Sequence, residues 1–395
     1  MNKNILHADV QSFITNNLNT DVVSVLLKKI TFKGVTTKEL VEQLEAKKKC
    51  KEKLPTWFNL SAIYFPNKLN IEQTSSEVTA AYKAKIVTGD TLIDITGGFG
   101  IDSYFFSEQI QHVTHCEINE NLSKTASYNF EILKANNIKT YAESGLEVLK
   151  NRTIFFDWIY IDPSRRNDVK GKVFLLADCL PNVPEHLPFL FKKTNQILIK
   201  TSPLLDFSIG INELQFVKQI HVVAVKNEAK ELLWILEKNY KGSVTIKTIN
   251  YTTTNEVSFS FSLTDEKQSI SKYSLPLVYL YEPNVAILKS GAFKTVGNAF
   301  GVNKLHEHTH LYTSPNLKDF PGRQFKILKT LPYHKKTIQK IGLKKANITT
   351  RNFPDTVATI RKNFKIKDGG STYLFFTKNI EDLYVVLVCE KLNSN

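Results

Sequence analysis

Cysteine is scarce in this sequence. Four residues in 395 (Cys50, Cys116, Cys179, Cys389) sit far apart with no CxxC spacing, which points away from a zinc site or a disulfide framework and fits a reduced, cytoplasmic protein. Long apolar runs are missing too. No stretch approaches the ~20 apolar residues that cross a bilayer as a helix, and the opening MNKNILHADVQSFI lacks the apolar centre of a secretion signal, so no membrane insertion is expected. Arginine is the third shortage: only Arg152, Arg165, Arg166, Arg323, Arg351 and Arg361 stand among 52 basic residues, the rest being lysine. In a chain also rich in Asn and Ile, that skew has the look of codon drift in an AT-rich genome. Much of the formal charge of +14 is then simply a solvated lysine surface. Neither internal repeats nor low-complexity tracts occur.

What is present can build cores. Hydrophobic residues make up 42% and aromatics 11%, against global disorder, and the length suits two or three domains. The charge is uneven. Up to Leu275 there are 33 cations and 30 anions, whereas Pro276 to Asn395 holds 19 and 8, a local excess of the sign that suits nucleic acid.

Four segments follow from the patterning. Residues 1–85 read as helical, with Thr36 and Thr37 placed to cap a helix that has Glu39 in its first turn and ends by Pro55, and Thr74, Ser75 or Ser76 placed to cap another. Over residues 86–275 short apolar runs (DTLIDIT, HVTHCEIN, KTYAES, FFDWIYIDPS, QILIKTSP) alternate with helical stretches, predicting βαβ units and about seven strands, mostly parallel with an antiparallel edge. In this scheme KNEAKELLWILEK reads as a helix, followed by a strand pair. Residues 276–331 read as short strands and loops. Residues 332–395 read as a small α+β module: helix HKKTIQKIGLKKA, strand NITTR, a break at NFPD, a helix capped by Asp355 or Thr356, then two strands.

The sharpest local feature is the first βα turn, Asp94-Ile95-Thr96-Gly97-Gly98-Phe99-Gly100-Ile101-Asp102. Glycines let the backbone turn tightly and approach a ligand, and the helix start offers free N–H groups. Its spacing is neither GxGxxG nor a phosphate loop. The turn instead resembles the D-x-x-x-G-x-G loop of class I S-adenosylmethionine-dependent methyltransferases, through Asp94, Gly98 and Gly100. Glu117 stands where that family places an acid on the ribose hydroxyls, with Ile118 beside it; Glu143 and Ser144 follow the third strand, where it has an acid near the adenine amine. Asp162-Pro163-Ser164-Arg165-Arg166 is similar to the (D/N)-P-P-(Y/F) motif of amino-methyltransferases acting on nucleic acids, whose acid or neighbouring carbonyl accepts hydrogen bonds from the target amine. It departs from that motif in having no aromatic ring to stack a flipped base.

Plainer readings compete at each position. Asp94 also suits capping the next helix, Glu72 to Glu77 also reads as a helix cap, and Gln73 and Ser76 are weaker candidates for the methionine end of the cofactor. Cys179 reads better as a buried structural thiol than as a nucleophile. His306, His308 and His310 alternate as on one strand face, but without an acid or Cys partner they read as a solvated segment rather than a metal site. In the last module Arg351-Asn352-Phe353-Pro354, Arg361, Lys362, Lys365 and Lys367 combine cations with an aromatic and a glycine turn, a phosphate-tracking pattern.

Across nearly its full length the chain resembles bacterial class I methyltransferases with a ferredoxin-like insert and a C-terminal THUMP-like domain, through LNIEQTSSEVTAAYKA, DITGGFGID, IDPSRR, PGRQF and RNFPD…IRK…KDGG. The resemblance implies an α/β fold with a Rossmann-like seven-stranded sheet, a helical N-terminus and a small α+β module that binds RNA. It implies S-adenosylmethionine held by Gln73, Asp94, Thr96, Gly97, Gly98, Gly100, Asp102, Glu117, Ile118, Glu143 and Ser144. Chemistry is expected at Asp162 and Pro163, and contacts to RNA (tRNA or rRNA, a base nitrogen being the expected target) from Arg165, Arg166, Arg351, Arg361 and Lys362, with no metal. The alternatives are an RNA-binding protein on an inactive methyltransferase scaffold and a small-molecule methyltransferase.

Overall fold

The computed structural model describes residues 1–27, 31–165 and 175–392. The chain forms two compact units, Met1–Val217 with Trp234–Tyr240, and Lys218–Leu233 with Lys241–Asn395.

In the first unit the N-terminal helices form as their caps dictate. Thr36 and Glu39 make a reciprocal capping box on Thr37–Lys53, and Ser76 caps Glu77–Ala84, each satisfying orphan N–H groups worth about 1 kcal/mol. Asn129 fastens this helical region to the strands that follow: its side chain bonds both the N–H and the C=O of Tyr64, at 3.0 and 2.9 Å. Five short strands then run parallel: β1 (Thr91–Asp94), β2 (His112–Cys116), β3 (Ile138–Tyr141), β4 (Trp158–Ile161) and β5 (Gln196–Thr201). β1 lies between β2 and β4, with β3 outside β2 and β5 outside β4. All four residues of β4 are buried, as expected for a strand covered on both faces.

Four more strands complete this sheet: β6 (Val217–Val225), β7 (Glu228–Glu237), β8 (Thr245–Tyr251) and β9 (Glu256–Ser262). The strand order is β9-β8-β6-β7-β5-β4-β1-β2-β3, so the sheet has nine strands rather than about seven. The segment read as a helix, KNEAKELLWILEK, is strand β7. Lys226 and Asn227 both take positive φ, 52° and 60°, the geometry of a two-residue turn whose twist matches a β-hairpin. Leu232 to Leu236 are then buried without alternation. A doubly covered strand gives a continuous apolar run that periodicity does not separate from a buried helix.

The second unit contains another sheet of seven strands: β10 (Tyr279–Pro283), β11 (Asn303–His306), β12 (Thr309–Ser314), β13 (Gly322–Pro332), β14 (Asn347–Arg351), β15 (Thr372–Lys378) and β16 (Tyr384–Lys391), in the order β11-β12-β10-β13-β16-β15-β14. All pairs are antiparallel except β14 with β15. Alternation along β15 and β16 feeds two cores. Phe375, Leu387 and Cys389 pack with Leu280, Leu305, Leu311 and Phe325. Leu374, Phe376, Val386 and Val388 pack with Ile338 and Ile360, from the helices Lys335–Lys340 and Val357–Phe364. Each fully buried side chain of this kind is worth roughly 1.5–3 kcal/mol. Between β10 and β11, where only strands and loops were expected, lie two six-residue helices, Val285–Ser290 and Thr295–Phe300.

Candidate active site

Parallel register brings the C-terminal ends of β1, β2, β4 and β5 abreast: Asp94 stands opposite His115 and Tyr160, and Ile161 opposite Ile199. Connections leave β1 and β4 toward opposite edges of the sheet here, the switch point where open α/β sheets bind ligands. A cavity of about 840 Å³ opens at this place, lined from the N-terminal helices (Gln73, Ser75), the glycine turn and the four strand ends. Its size suits a nucleoside-sized ligand.

Asp94 is buried, and both its oxygens are engaged in the turn: Oδ1 accepts from the Thr96 N–H at 3.0 Å and Oδ2 from the Ser103 hydroxyl at 2.7 Å. Burial pushes its pKa up to about 7, since a low-dielectric site penalises the charged form. Gly97 and Gly100 are required by close packing beneath the turn. A Cβ on Gly97 would stand 2.3 Å from the His115 ring, and one on Gly100 2.4 Å from Phe130. Gly98 is different. It has φ of +56° and only the Thr96 carbonyl near its would-be Cβ, at 3.9 Å, so its backbone is bare toward the cavity. The Gly98 N–H donates to Glu117 Oε2 at 2.9 Å, and Oε1 of the same carboxylate accepts from the Asn119 N–H at 2.7 Å. Glu117 is thereby fixed at the mouth of β2, and Ile118 beside it is 77% exposed on the cavity wall.

Below the turn lies a buried ionic cluster. Asp102 Oδ2 accepts from Ser75 Oγ at 2.8 Å and from Tyr160 Oη at 2.7 Å, while Oδ1 lies 3.2 Å from the ammonium of the fully buried Lys83. Burial alone raises the pKa of Asp102. The ammoniums of Lys83 and Lys200 and the two hydroxyls outweigh it and hold the carboxyl below its ordinary value. Asp162, following β4, donates its N–H to Thr96 Oγ1 at 2.7 Å and pairs its carboxylate with Lys200, near the end of β5.

Of the residues expected to hold cofactor, Gln73, Asp94, Thr96, Gly97, Gly98, Asp102, Glu117, Ile118 and Ser144 line the cavity together with Asp162, Pro163 and Arg165. Gly100 caps the helix Ile101–Ser107 behind the turn, Glu143 is exposed outside the lining, and Ser76 caps its helix. Arg166 lies outside the described residues. Arg351 and Arg361 are engaged within their own unit: Arg351 Nη2 meets the buried Glu282 at 2.7 Å, and Arg361 pairs with Asp368 and donates to the carbonyls of Ile366 and Ala346. Lys362 is exposed.

Cys179 is buried beside Arg165, its partner in a two-residue strand pairing. The three histidines do not share a strand face. His306 and Thr309 pair across a tight turn that contains His308, and His310 stacks on Phe293 at 3.5 Å. Among the described residues no group of three His, Cys, Asp or Glu is arranged to hold a metal ion, and no helix is long and apolar enough to cross a membrane.

Lys200, Lys83, Tyr160 and Ser75 were not singled out from the sequence. One signal was available for Lys200: a lone cation interrupting the apolar run QILIKT, on a strand buried on both faces.

A nucleotide-sized cavity over a glycine turn, at the switch point of a parallel sheet with an acid at each strand end, defines a class I methyltransferase fold. Comparisons with known proteins agree. Family models match a ferredoxin-like domain at residues 279–321 and a THUMP domain-like region at residues 322–391. A crystal structure of a proposed methyltransferase from Porphyromonas gingivalis W83 is 30% identical over 99% of both chains, with a TM-score of 0.89. This chain therefore belongs to the family of class I methyltransferases that carry C-terminal ferredoxin-like and THUMP-like domains. Two more distant structures are an rRNA methylase from Streptococcus thermophilus (15% identity, 41% of this chain and 94% of that one, TM-score 0.30) and M. capricolum TrmK with S-adenosyl-homocysteine (16%, 45% and 70%, TM-score 0.31). No curated protein matches the chain.

Proposed function

We propose that this protein is an S-adenosylmethionine-dependent methyltransferase acting on RNA. The observation that carries the cofactor half is Glu117, a carboxylate held by two backbone N–H groups beside the bare Gly98 backbone. Carboxylate oxygens keep acceptor capacity for the two O–H donors of a ribose, and exposed Ile118 next to them offers an apolar face to a planar base. The residues fit the group. Glu117, Ile118, Gly98, Thr96 and Ser144 would hold its nucleoside, and Gln73, Asp94 and Asp102 would lie toward the amino acid end. When bound, the cofactor supplies an electrophilic methyl group. The chain's own part is to exclude water, hold an acceptor over Asp162 and Pro163, and take up its proton.

RNA as the substrate class rests on the THUMP-like match and on the lysine excess after Pro276. Arg165 and Arg166 are placed to meet substrate near Asp162, while Lys362 and its exposed neighbours would contact phosphate. Arg351 and Arg361 would shape that surface by holding Glu282 and Asp368. The test is transfer of a labelled methyl group from S-adenosylmethionine to RNA from cells lacking the gene. Label in RNA, lost with Asp162→Ala, is the expected result; label on small molecules alone would overturn the RNA assignment.

A further inference from the structure

We propose that the methyl acceptor is an acidic X–H group, one that becomes an anion when it loses its proton, and that the Lys200 ammonium stabilises that anion. This inference deepens the reading given under Proposed function and rests on it. It starts from the charge at the acceptor end of the cavity. Asp162 does not stand there alone: its carboxylate is paired with Lys200, whose side chain is 13% exposed, and both line the cavity.

A neutral exocyclic amine gains positive charge as its lone pair takes a methyl group. It is helped by an acceptor that bears unbalanced negative charge and opposed by a fixed ammonium at the same place. An acidic acceptor, a ribose hydroxyl or a lactam N–H of a base, has the opposite demand. Negative charge develops on its reacting atom as the proton leaves, so a carboxylate to take the proton and an adjacent cation to hold the charge form a matched pair. In that step the X–H proton passes to Asp162, the electron pair left on X forms the X–C bond, and the S–C bond of S-adenosylmethionine breaks to leave a neutral thioether. The proton is then lost to solvent. Ser164 and Arg165, which follow Asp162-Pro163, supply no ring to clamp a base by stacking, which fits a hydroxyl more easily than an exocyclic amine.

Two measurements on the full chain test this. In the first, RNA from cells lacking the gene is treated with deuterated-methyl S-adenosylmethionine, and its nucleosides are fragmented in a mass spectrometer. Label on ribose oxygen or on a lactam nitrogen is expected, and the two are separated by whether the sugar or the base carries it. Label on an exocyclic amine or on carbon overturns the inference while leaving the methyltransferase reading intact; no label in any RNA overturns both. In the second, Lys200→Met leaves the Asp162 carboxylate unbalanced, so the binding preference for the sulfonium S-adenosylmethionine over the neutral S-adenosylhomocysteine should rise about tenfold, with Lys200→Arg near wild type. An unchanged preference, or equal loss of both ligands, overturns the placement of Lys200 at the reacting end.

Discussion

The two units handle charge in opposite ways. In the first, cations and carboxylates are drawn inward and matched: Lys83 with Asp102, Lys200 with Asp162, all at one cavity. In the second, a two-sided apolar sheet makes the core, and lysines such as Lys335, Lys336, Lys345, Lys362, Lys365 and Lys367 stay exposed. The difference teaches that net charge is a poor guide to where electrostatics act. The near-neutral part of the sequence holds the strongest local fields, because burial removes the screening that weakens surface charge.

The largest effect should come from breaking the inward pairing. Lys83→Ala strands Asp102 without its nearest countercharge, and loss of one partner of a buried pair costs about 3–5 kcal/mol. Denaturant unfolding of the full chain should show the transition of residues 1–217 shifted by that order. A shift under 1 kcal/mol would mean that Lys200 and the two hydroxyls balance Asp102 without help.

Acid should separate the units next. His115 in the first unit has its pKa pushed down to about 4 by burial. Its contribution to stability is present above the unfolded value of 6.5 and is lost as pH falls toward 4. Asp94 in the same unit is raised to about 7, so it acts in the opposite sense and gains stability over nearly the same window. In the second unit burial lowers His221 to about 3 and His310 to about 4, and no carboxyl with a raised pKa is resolved there among the described residues. Peptide-resolved hydrogen exchange between pH 7 and 5, corrected for intrinsic rates, should show the second unit losing protection first. Simultaneous loss would break the contrast.

The smallest effect concerns the exposed lysines. Lys362→Ala should reduce the slope of log affinity for RNA against log salt by about one and leave stability within ~0.5 kcal/mol. Arg361→Ala, which also releases Asp368 and two carbonyls, should destabilise the second unit as well. Identical behaviour of the two variants would contradict their different roles.

Much of the site is legible in the sequence because it is local. The glycine turn, Glu117 after HVTHC and Asp162 after WIYI each follow a strand that announces itself by composition. The pairs that give the site its electrostatics are not local: Asp162 meets Lys200 across 38 residues, and Lys83 reads as one more lysine in YKAK until the fold buries it. Strand β7 was misread because burial on both faces removes its alternation. The short helix Val285–Ser290 went unread although Asn284 caps its start and Gly291, in the left-handed region, ends it; at six residues it is too brief to display a period. His306, His308 and His310 misled in the other direction, since regular spacing in sequence became a turn in space.

The account depends most on Glu117 as the anchor of the cofactor. Calorimetric titration of S-adenosylmethionine into the full chain and into Glu117→Gln tests it most directly. Saturable binding one-to-one by the wild type, weakened roughly 10- to 100-fold in the variant as expected for one or two charge-assisted hydrogen bonds, with the melting temperature of the free protein nearly unchanged, is the predicted result. No binding to the folded wild type, or equal affinity for both proteins, would contradict it.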